Sequence, residues 1–333
     1  MRCGLLALAL SVAAVGSVAQ AAEYEFRLAH YLPPTHNQSA NVLADWIARI
    51  EDQSDGRISI EQFPAGQLLG IQDIFDGVQN GVAELGWGLP AVQASRFPRT
   101  QLLELPFTFR SAEQASRVAQ TLADEGLLAD EFEGVRLLVL HTHAPGQIHL
   151  RQVGPLVPQA LTGLRIRFAS PGVRAMLAAF GAEPVGVPAP QVYENLEQGV
   201  LDGVTFPYEA MKGLRLGEQV RYHVELGLYV LPFYLIMNET AFDGLPEDLQ
   251  QVILDNSGLE EAMRVGRSWD EEDARGRAYV QGLGNTIVEL TADQRQAWVD
   301  AVQPAVGEIL AAAEGEGADA RTIRSRIVEL AAQ

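Results

Sequence analysis

The stretch from Leu161 to Ala210 constrains the fold of this chain more than any other. It begins with Leu164-Arg165-Ile166-Arg167-Phe168, where apolar and basic residues alternate with the period of a half-buried strand. A helical pattern opens at Ser170-Pro171. Serine accepts bonds from the free amides of a first helical turn, and proline suits that turn because its missing N–H is not needed there. Val173, Met176, Leu177 and Phe180 mark one apolar face. A strand over Glu183 to Val187, a helix over Pro190 to Gly199 and a strand over Gly203 to Pro207 follow. This alternation folds as parallel strands joined by crossover helices. Ligands of such sheets sit beyond the carboxyl ends of the strands. Arg167 lies near such an end, where a guanidinium grips a planar anion with two parallel hydrogen bonds.

The same rhythm runs earlier. Tyr24 to Leu32, Arg57 to Phe63 and Ala83 to Gly88 read as strands, separated by helices over about Asn37 to Asp52 and Ile71 to Gly81. Two such units predict an α/β protein of two lobes with mainly parallel sheets. Ala112 to Leu128 reads as a helix, Val135 to Thr142 as a strand, and His143-Ala144-Pro145-Gly146 as a crossing between lobes. Arg221 to Met237 alternates Tyr, Val, Leu and Phe and reads as strands returning across a hinge. Pro246 to Leu283 is helical in pattern, about 55 Å long if unbroken, with Gly258, Gly266 and Gly276 as weak points. Such a helix spans both lobes. Thr286 to Leu290 is a short strand, Thr291-Ala292-Asp293-Gln294 a capping box, and the chain ends in an amphipathic helix. The expected division is 22–145 plus about 232–270 for lobe I, and about 146–231 plus 271–333 for lobe II.

The formal charge of the 333-residue chain is -19, and Lys212 is its only lysine. So acidic a protein is unsuited to nucleic acid or to an anionic membrane surface. Arg2, the apolar run Leu5 to Val18 and Ala19-Gln20-Ala21 form the n-region, core and cleavage site of a signal peptide over residues 1–21. The only cysteine, Cys3, lies in that segment, so the mature chain has no disulfide, thiolate nucleophile or cysteine metal site. An exported chain without disulfides fits the bacterial periplasm.

Motifs for chemistry are missing. The loop Pro64 to Gly70 is rich in glycine but lacks the Lys-Ser/Thr of a phosphate-binding loop. There is no GxSxG and no HExxH. His141, His143 and His149 are close in sequence, but no acidic residue lies between Glu133 and Glu183 to complete a local metal set. A structural or hydrogen-bonding role is the expectation for them, with no metal and no cofactor.

Gly163-Leu164-Arg165-Ile166-Arg167, with Tyr193-Glu194-Asn195-Leu196-Glu197-Gln198-Gly199-Val200-Leu201-Asp202-Gly203, resembles the signature region of TRAP transporter solute-binding proteins of the DctP type. Ala29 to His36, Phe63 to Leu68, Asn80 to Glu84 and Leu103 to Phe107 resemble the first lobe of the same proteins. The resemblance implies a periplasmic receptor, not an enzyme. It would close on a small organic acid and deliver it to TRAP membrane subunits of the DctQ and DctM type. It makes Arg167 the carboxylate clamp. The sequence departs from better-known members at two places: Phe206 stands where a substrate-binding Asn is common, and Gln147 where some have another arginine. With Trp87 at the end of its strand, these substitutions predict a monocarboxylate with an apolar body; Arg151 is a further candidate for orienting it. Two alternatives stay open on the residues: a periplasmic enzyme or metal-binding protein using the three histidines, and a receptor that serves a sensor.

Overall fold

The computed structural model describes residues 21–152 and 156–333. The segment read as a signal peptide, with Cys3, lies outside them except for Ala21. The first unit alternates β1 (Tyr24–His30), α1 (Ala44–Gln53), β2 (Ile58–Phe63), α2 (Ile74–Gln79) and β3 (Leu85–Gly88), then α3 (Ala112–Asp124) and β4 (Val135–Thr142). Along β1 the buried side chains are Phe26, Leu28, Ala29 and His30, so the apolar alternation does set the face turned to the core. The second unit follows: β5 (Gln147–Leu150), β6 (Arg165–Phe168), α4 (Pro171–Ala179), β7 (Glu183–Gly186), α5 (Val192–Glu197), β8 (Gly203–Phe206), α6 (Tyr208–Gly213) and β9 (Tyr222–Val224). The chain then returns through β10 (Pro232–Asn238) to α7 (Glu239–Asp243), α8 (Glu247–Asp255) and α9 (Gly258–Gly282). It closes with β11 (Thr286–Val288), α10 (Ala292–Ala301), α11 (Gln303–Gly315) and α12 (Ala320–Ala331).

Two sheets result, in the orders β2-β1-β3-β10-β4 and β11-β9-β5-β8-β6-β7. Both are mixed. Their four antiparallel pairings all involve β10 or β5, the strands that emerge directly from a crossing between sheets. The crossings are bonded to each other. Gly146 donates to the Tyr229 carbonyl at 2.7 Å, Leu228 donates to that of Gly146 at 2.8 Å, and the Gln147 side chain accepts from Leu226 and Gly227. The hinge is therefore a two-stranded ribbon rather than two free linkers.

The predicted helix over Pro246 to Leu283 is broken. The backbone carbonyl of Asn256 accepts from the Trp46 indole at 2.7 Å, and its side chain bonds Gln53 and Val252. Gly258 then turns with φ +73°, a left-handed conformation that suits glycine. What remains, α9, has 25 residues and spans about 37 Å. It packs against α3 and β4 of the first sheet and α6 of the second. Gly266 and Gly276 are close-approach points, not weak points. A β-carbon at Gly266 would lie 2.7 Å from the Glu113 Cα, and one at Gly276 only 2.0 Å from the Tyr208 carbonyl oxygen. The sequence-predicted caps hold: Ser170 accepts from Val173 at the start of α4, and Thr291 and Gln294 form a full capping box on α10. The last helix packs on α3 of the first sheet, where Gln114 and Arg117 donate to the carbonyls of Ala331 and Leu330. Among the described residues no helix is long and apolar enough to cross a membrane.

Candidate functional site

Strand β6 presents Arg167 between β7 and β8, in register with Val185 and Val204. The side chain is 5 % exposed. Its Nε donates to the Val187 carbonyl at 3.0 Å, and Nη1 to that of Thr205 at 3.3 Å. The guanidinium carbon lies 4.0 Å from the centroid of the Phe206 ring. Two carbonyls and an aromatic face thus hold the group in one orientation. Among the described residues Arg167 forms no ion pair, and burial pulls its pKa down to about 10. Arg165, on the same face of the strand, is spent otherwise. It pairs with Asp202 through Nε at 2.9 Å and Nη2 at 2.8 Å, and also donates to the Gly199 carbonyl.

The residues around Arg167 come from the first sheet and the hinge. Tyr31 follows β1 and stacks on Trp87 with ring centroids 5.6 Å apart. Burial pushes its phenol far up, against the opposing charge of Arg167. Tyr229, in the returning hinge segment, is 2 % exposed, and burial raises its phenol to about 12, again opposed by Arg167. His143, in the outgoing segment, is lowered to about 4 by burial and packs edge-on against Tyr229. Its Nδ1 donates to the Ala144 carbonyl at 2.5 Å.

Two contacts tie the sheets together across this region. His36 Nε2 lies 3.1 Å from the Glu209 carboxylate on α6, and both side chains are buried. Glu104, from the first unit, accepts from the Ser170 hydroxyl that caps α4. Burial lifts the Glu104 carboxyl to about 8, and its other oxygen has no partner.

The structure therefore gathers Arg167 and Phe206, with Trp87 one ring further back behind Tyr31. The Trp87 indole donates to His141 at 2.9 Å and its ring stacks on Phe233. Gln147 stands beside Phe206 in register, but its amide is consumed by the hinge: it donates to the Pro145 carbonyl as well as accepting from two amides. Arg151 is not brought to the site. It follows Leu150, which pairs with Gly203 at the opposite end of β8 from Phe206, and it borders a surface hollow with Arg221 and Thr286. Sequence reasoning missed Tyr31, Tyr229, His36 and Glu209. For Tyr31 a signal existed, since it directly follows the carboxyl end of a parallel strand.

The three histidines do not converge. His141 lies between the indoles of Trp87 and Trp269, and burial lowers it to about 3. His149 belongs to a separate relay. Asn285 donates to His223 Nε2 at 3.2 Å, His223 to His149 Nδ1 at 2.7 Å, and His149 Nε2 to the Phe206 carbonyl at 3.0 Å. One set of tautomers satisfies all three bonds, and burial keeps both rings neutral. Among the described residues no group of three His, Cys, Asp or Glu side chains is placed to hold a metal. The metal-site alternative loses its ligands.

Residues 28–313 match the model of the DctP family, described as bacterial extracellular solute-binding protein, family 7. A TRAP solute-binding protein from Rhodoferax ferrireducens, crystallised with copurified benzoate, superposes with a TM-score of 0.88 at 30% identity, covering 92% of this chain and 97% of that one. A TRAP periplasmic solute-binding protein from Bordetella bronchiseptica, with bound (R)- and (S)-mandelate, gives 0.85 at 30% identity, covering 93% and 99%. The C4-dicarboxylate-binding periplasmic protein DctP of Rhodobacter capsulatus is 26% identical over 313 residues, 91% of this chain and 90% of its own. The chain belongs to the DctP family, the solute-binding proteins of TRAP transporters, a family of transport receptors rather than of enzymes.

Proposed function

We propose that this protein is the periplasmic receptor for an aromatic or similarly apolar monocarboxylate. One observation carries the reading: Arg167 is buried and oriented, yet has no carboxylate partner among the described residues. A buried guanidinium without a counter-charge is costly, and an anionic ligand removes that cost. The Phe206 ring against the guanidinium and Tyr31 stacked on Trp87 supply flat apolar surface for the rest of the acid. Solved relatives holding benzoate and mandelate support that class. A second carboxylate finds no second arginine among the residues gathered around Arg167, because Arg151 lies at the far end of β8. It would also meet the charge of Glu209, which reaches Tyr31 and His143.

Binding works by closure. Residues 22–145 plus about 232–270 move as one lobe, and about 146–231 plus 271–333, apart from α12, as the other. The packing of α12 on α3 argues that the last helix travels with the first lobe. Ligand contacts from both lobes shift the open–closed equilibrium. The acid then passes to TRAP membrane subunits of the DctQ and DctM type. A signal peptide directs export and is cleaved after Ala21.

A thermal-shift panel tests the ligand class. An acid at about 100 times its dissociation constant adds about 2.7 kcal/mol of stability. Benzoate, mandelate and hydroxybenzoates are expected to shift the transition. Shifts confined to C4-dicarboxylates or sugar acids would overturn the reading.

A further inference from the structure

Tyr229, like Glu104, is a buried group in this region with a polar atom left unsatisfied among the described residues. Among the described residues its hydroxyl has no well-aligned hydrogen bond, although the Thr205 side chain lies near enough to lower its pKa, and the ring is 2 % exposed. The ring is seated on the hinge ribbon. Its own carbonyl accepts from Gly146, and a β-carbon at Gly146 would lie 2.3 Å from a ring carbon, so only glycine leaves room there. The phenol and the guanidinium are close enough to act on each other: Arg167 opposes the rise in the pKa of Tyr229, and Tyr229 opposes the fall in that of Arg167.

The donors can be counted. A guanidinium has five N–H groups. The carbonyls of Val187 and Thr205 take two from Arg167, which leaves three, and a fork of two fills one side of a carboxylate. A carboxylate has about four lone-pair positions. Buried without water, those left open cost binding energy unless another donor reaches them. We propose that Tyr229 is a second donor to the ligand, its O–H bonding a carboxylate oxygen that the Arg167 fork leaves open. The proposal rests on the reading of this region as an organic-acid site. It also makes the hinge itself part of the anion site, so that ligand and lobe closure are joined through one side chain. Burial keeps the phenol protonated at every ordinary pH, so it remains a donor.

Tyr229→Phe separates this role from a structural one, because the two readouts move in opposite senses. Removing a buried hydroxyl that has no well-aligned partner leaves the ligand-free melting temperature nearly unchanged or raises it. Removing a donor to a buried carboxylate weakens benzoate binding, measured by calorimetry, by about tenfold or more. Unchanged benzoate affinity overturns the proposal. So does a loss seen for mandelate but not for benzoate, which would place the hydroxyl on the ligand's substituent. A lower ligand-free melting temperature with unchanged affinity would make the hydroxyl structural, and also overturns it. If the unmodified protein takes no aromatic acid, the ligand class proposed above falls. The same two readouts are then taken with whichever of pyruvate, lactate or succinate binds, and Tyr229 is judged on them.

Discussion

Asp270 and Asp273 stand three residues apart on α9 and cap helices that belong to different sheets. Asp270 accepts from the amides of Ala112 and Glu113 at 2.7 and 3.0 Å, at the start of α3. Asp273 accepts from the Glu209 amide at 3.1 Å, at the start of α6. Each carboxylate meets free amides and the positive end of a helix, where a negative charge is favoured. Gly266 and Gly276 let the two helix ends come this close. The spine of the molecule is thus one helix with a docking point for each lobe.

Those docking points are testable by glycine replacement. Gly276→Ala would put a methyl group 2.0 Å from the Tyr208 carbonyl oxygen, and Gly266→Ala one 2.7 Å from the Glu113 Cα. Backbone must move in both, at a cost of about 1–3 kcal/mol or more. Gly307, inside α11, has nothing within 4 Å of the added carbon, so Gly307→Ala should stabilise by about 0.5–1 kcal/mol. Denaturant unfolding of the three variants checks the order.

Stability should pass through a maximum near pH 6.5. His30, His141, His143 and His223 are all pulled down to about 3 or 4 by burial. The unfolded chain takes up protons on them first, so stability rises as pH climbs from about 4 to 6.5. Glu104 and Asp273 act the other way. Burial raises them to about 8 and about 7, so the folded state holds their protons longer, and stability is lost as pH rises through those values. Above pH 6.5 the histidines no longer contribute a slope, and the two acids remain. Glu104→Gln and Asp273→Asn should each flatten the decline between pH 6.5 and 8. An unchanged slope in both would remove these carboxyls from the account.

The parts of the fold legible in the sequence were those written in local periodicity. β4 matches its expected span residue for residue, and the caps at Ser170 and Thr291 are where short-range hydrogen bonding predicts them. The break over Asn256 to Gly258 was legible in part: Gly258 stood out as a weak point, but the bond from Trp46 that fixes Asn256 comes from a residue remote in sequence. Arg167 could be singled out from its strand position and the family pattern. Tyr229 could not, since an alternating run does not show which ring lacks a partner. Gln147 and Arg151 show the opposite difficulty. Their residue types suit a ligand site, but one amide is used by the hinge and the other side chain lies at the far end of its strand.

The His36–Glu209 contact should act on closure rather than on ligand chemistry. It joins a loop after β1 to α6, and His36 Nδ1 accepts from the Gln38 amide, so Nε2 carries the proton toward Glu209. His36→Ala leaves a buried carboxylate without this donor in the arrangement seen here, where the loop after β1 meets α6, and not in one where the lobes have parted. The open form is then favoured, and every ligand loses affinity by the same factor, set by the fall in the closed population. Small-angle scattering should show a larger ligand-free radius of gyration than in the unmodified protein, with saturating ligand restoring the compact form. Affinity losses that differ from one acid to another would make His36 a ligand contact instead.

Arg167 should trade stability against function. In the ligand-free protein it is a buried charge whose pKa has been pulled down to about 10 by desolvation, so it opposes folding. Arg167→Met keeps much of its volume, removes the charge and retains contact with the Phe206 ring. Replacing a buried charge by a packed apolar side chain stabilises by about 1–3 kcal/mol, and the ligand-free melting temperature should rise. Ligand affinity should fall at the same time. The acid then loses its fork, at about 2–5 kcal/mol, which is about 30-fold to several thousand-fold in dissociation constant. Arg167→Lys recovers only part, because an ammonium cannot present two parallel N–H groups. Arg165→Ala is the control on the same strand face. Its guanidinium is paired with Asp202 and partly exposed, so affinity should change little. Calorimetry and thermal unfolding on the four proteins give eight numbers. A folded Arg167→Met protein that binds acids as tightly as the unmodified one would remove the clamp from this site.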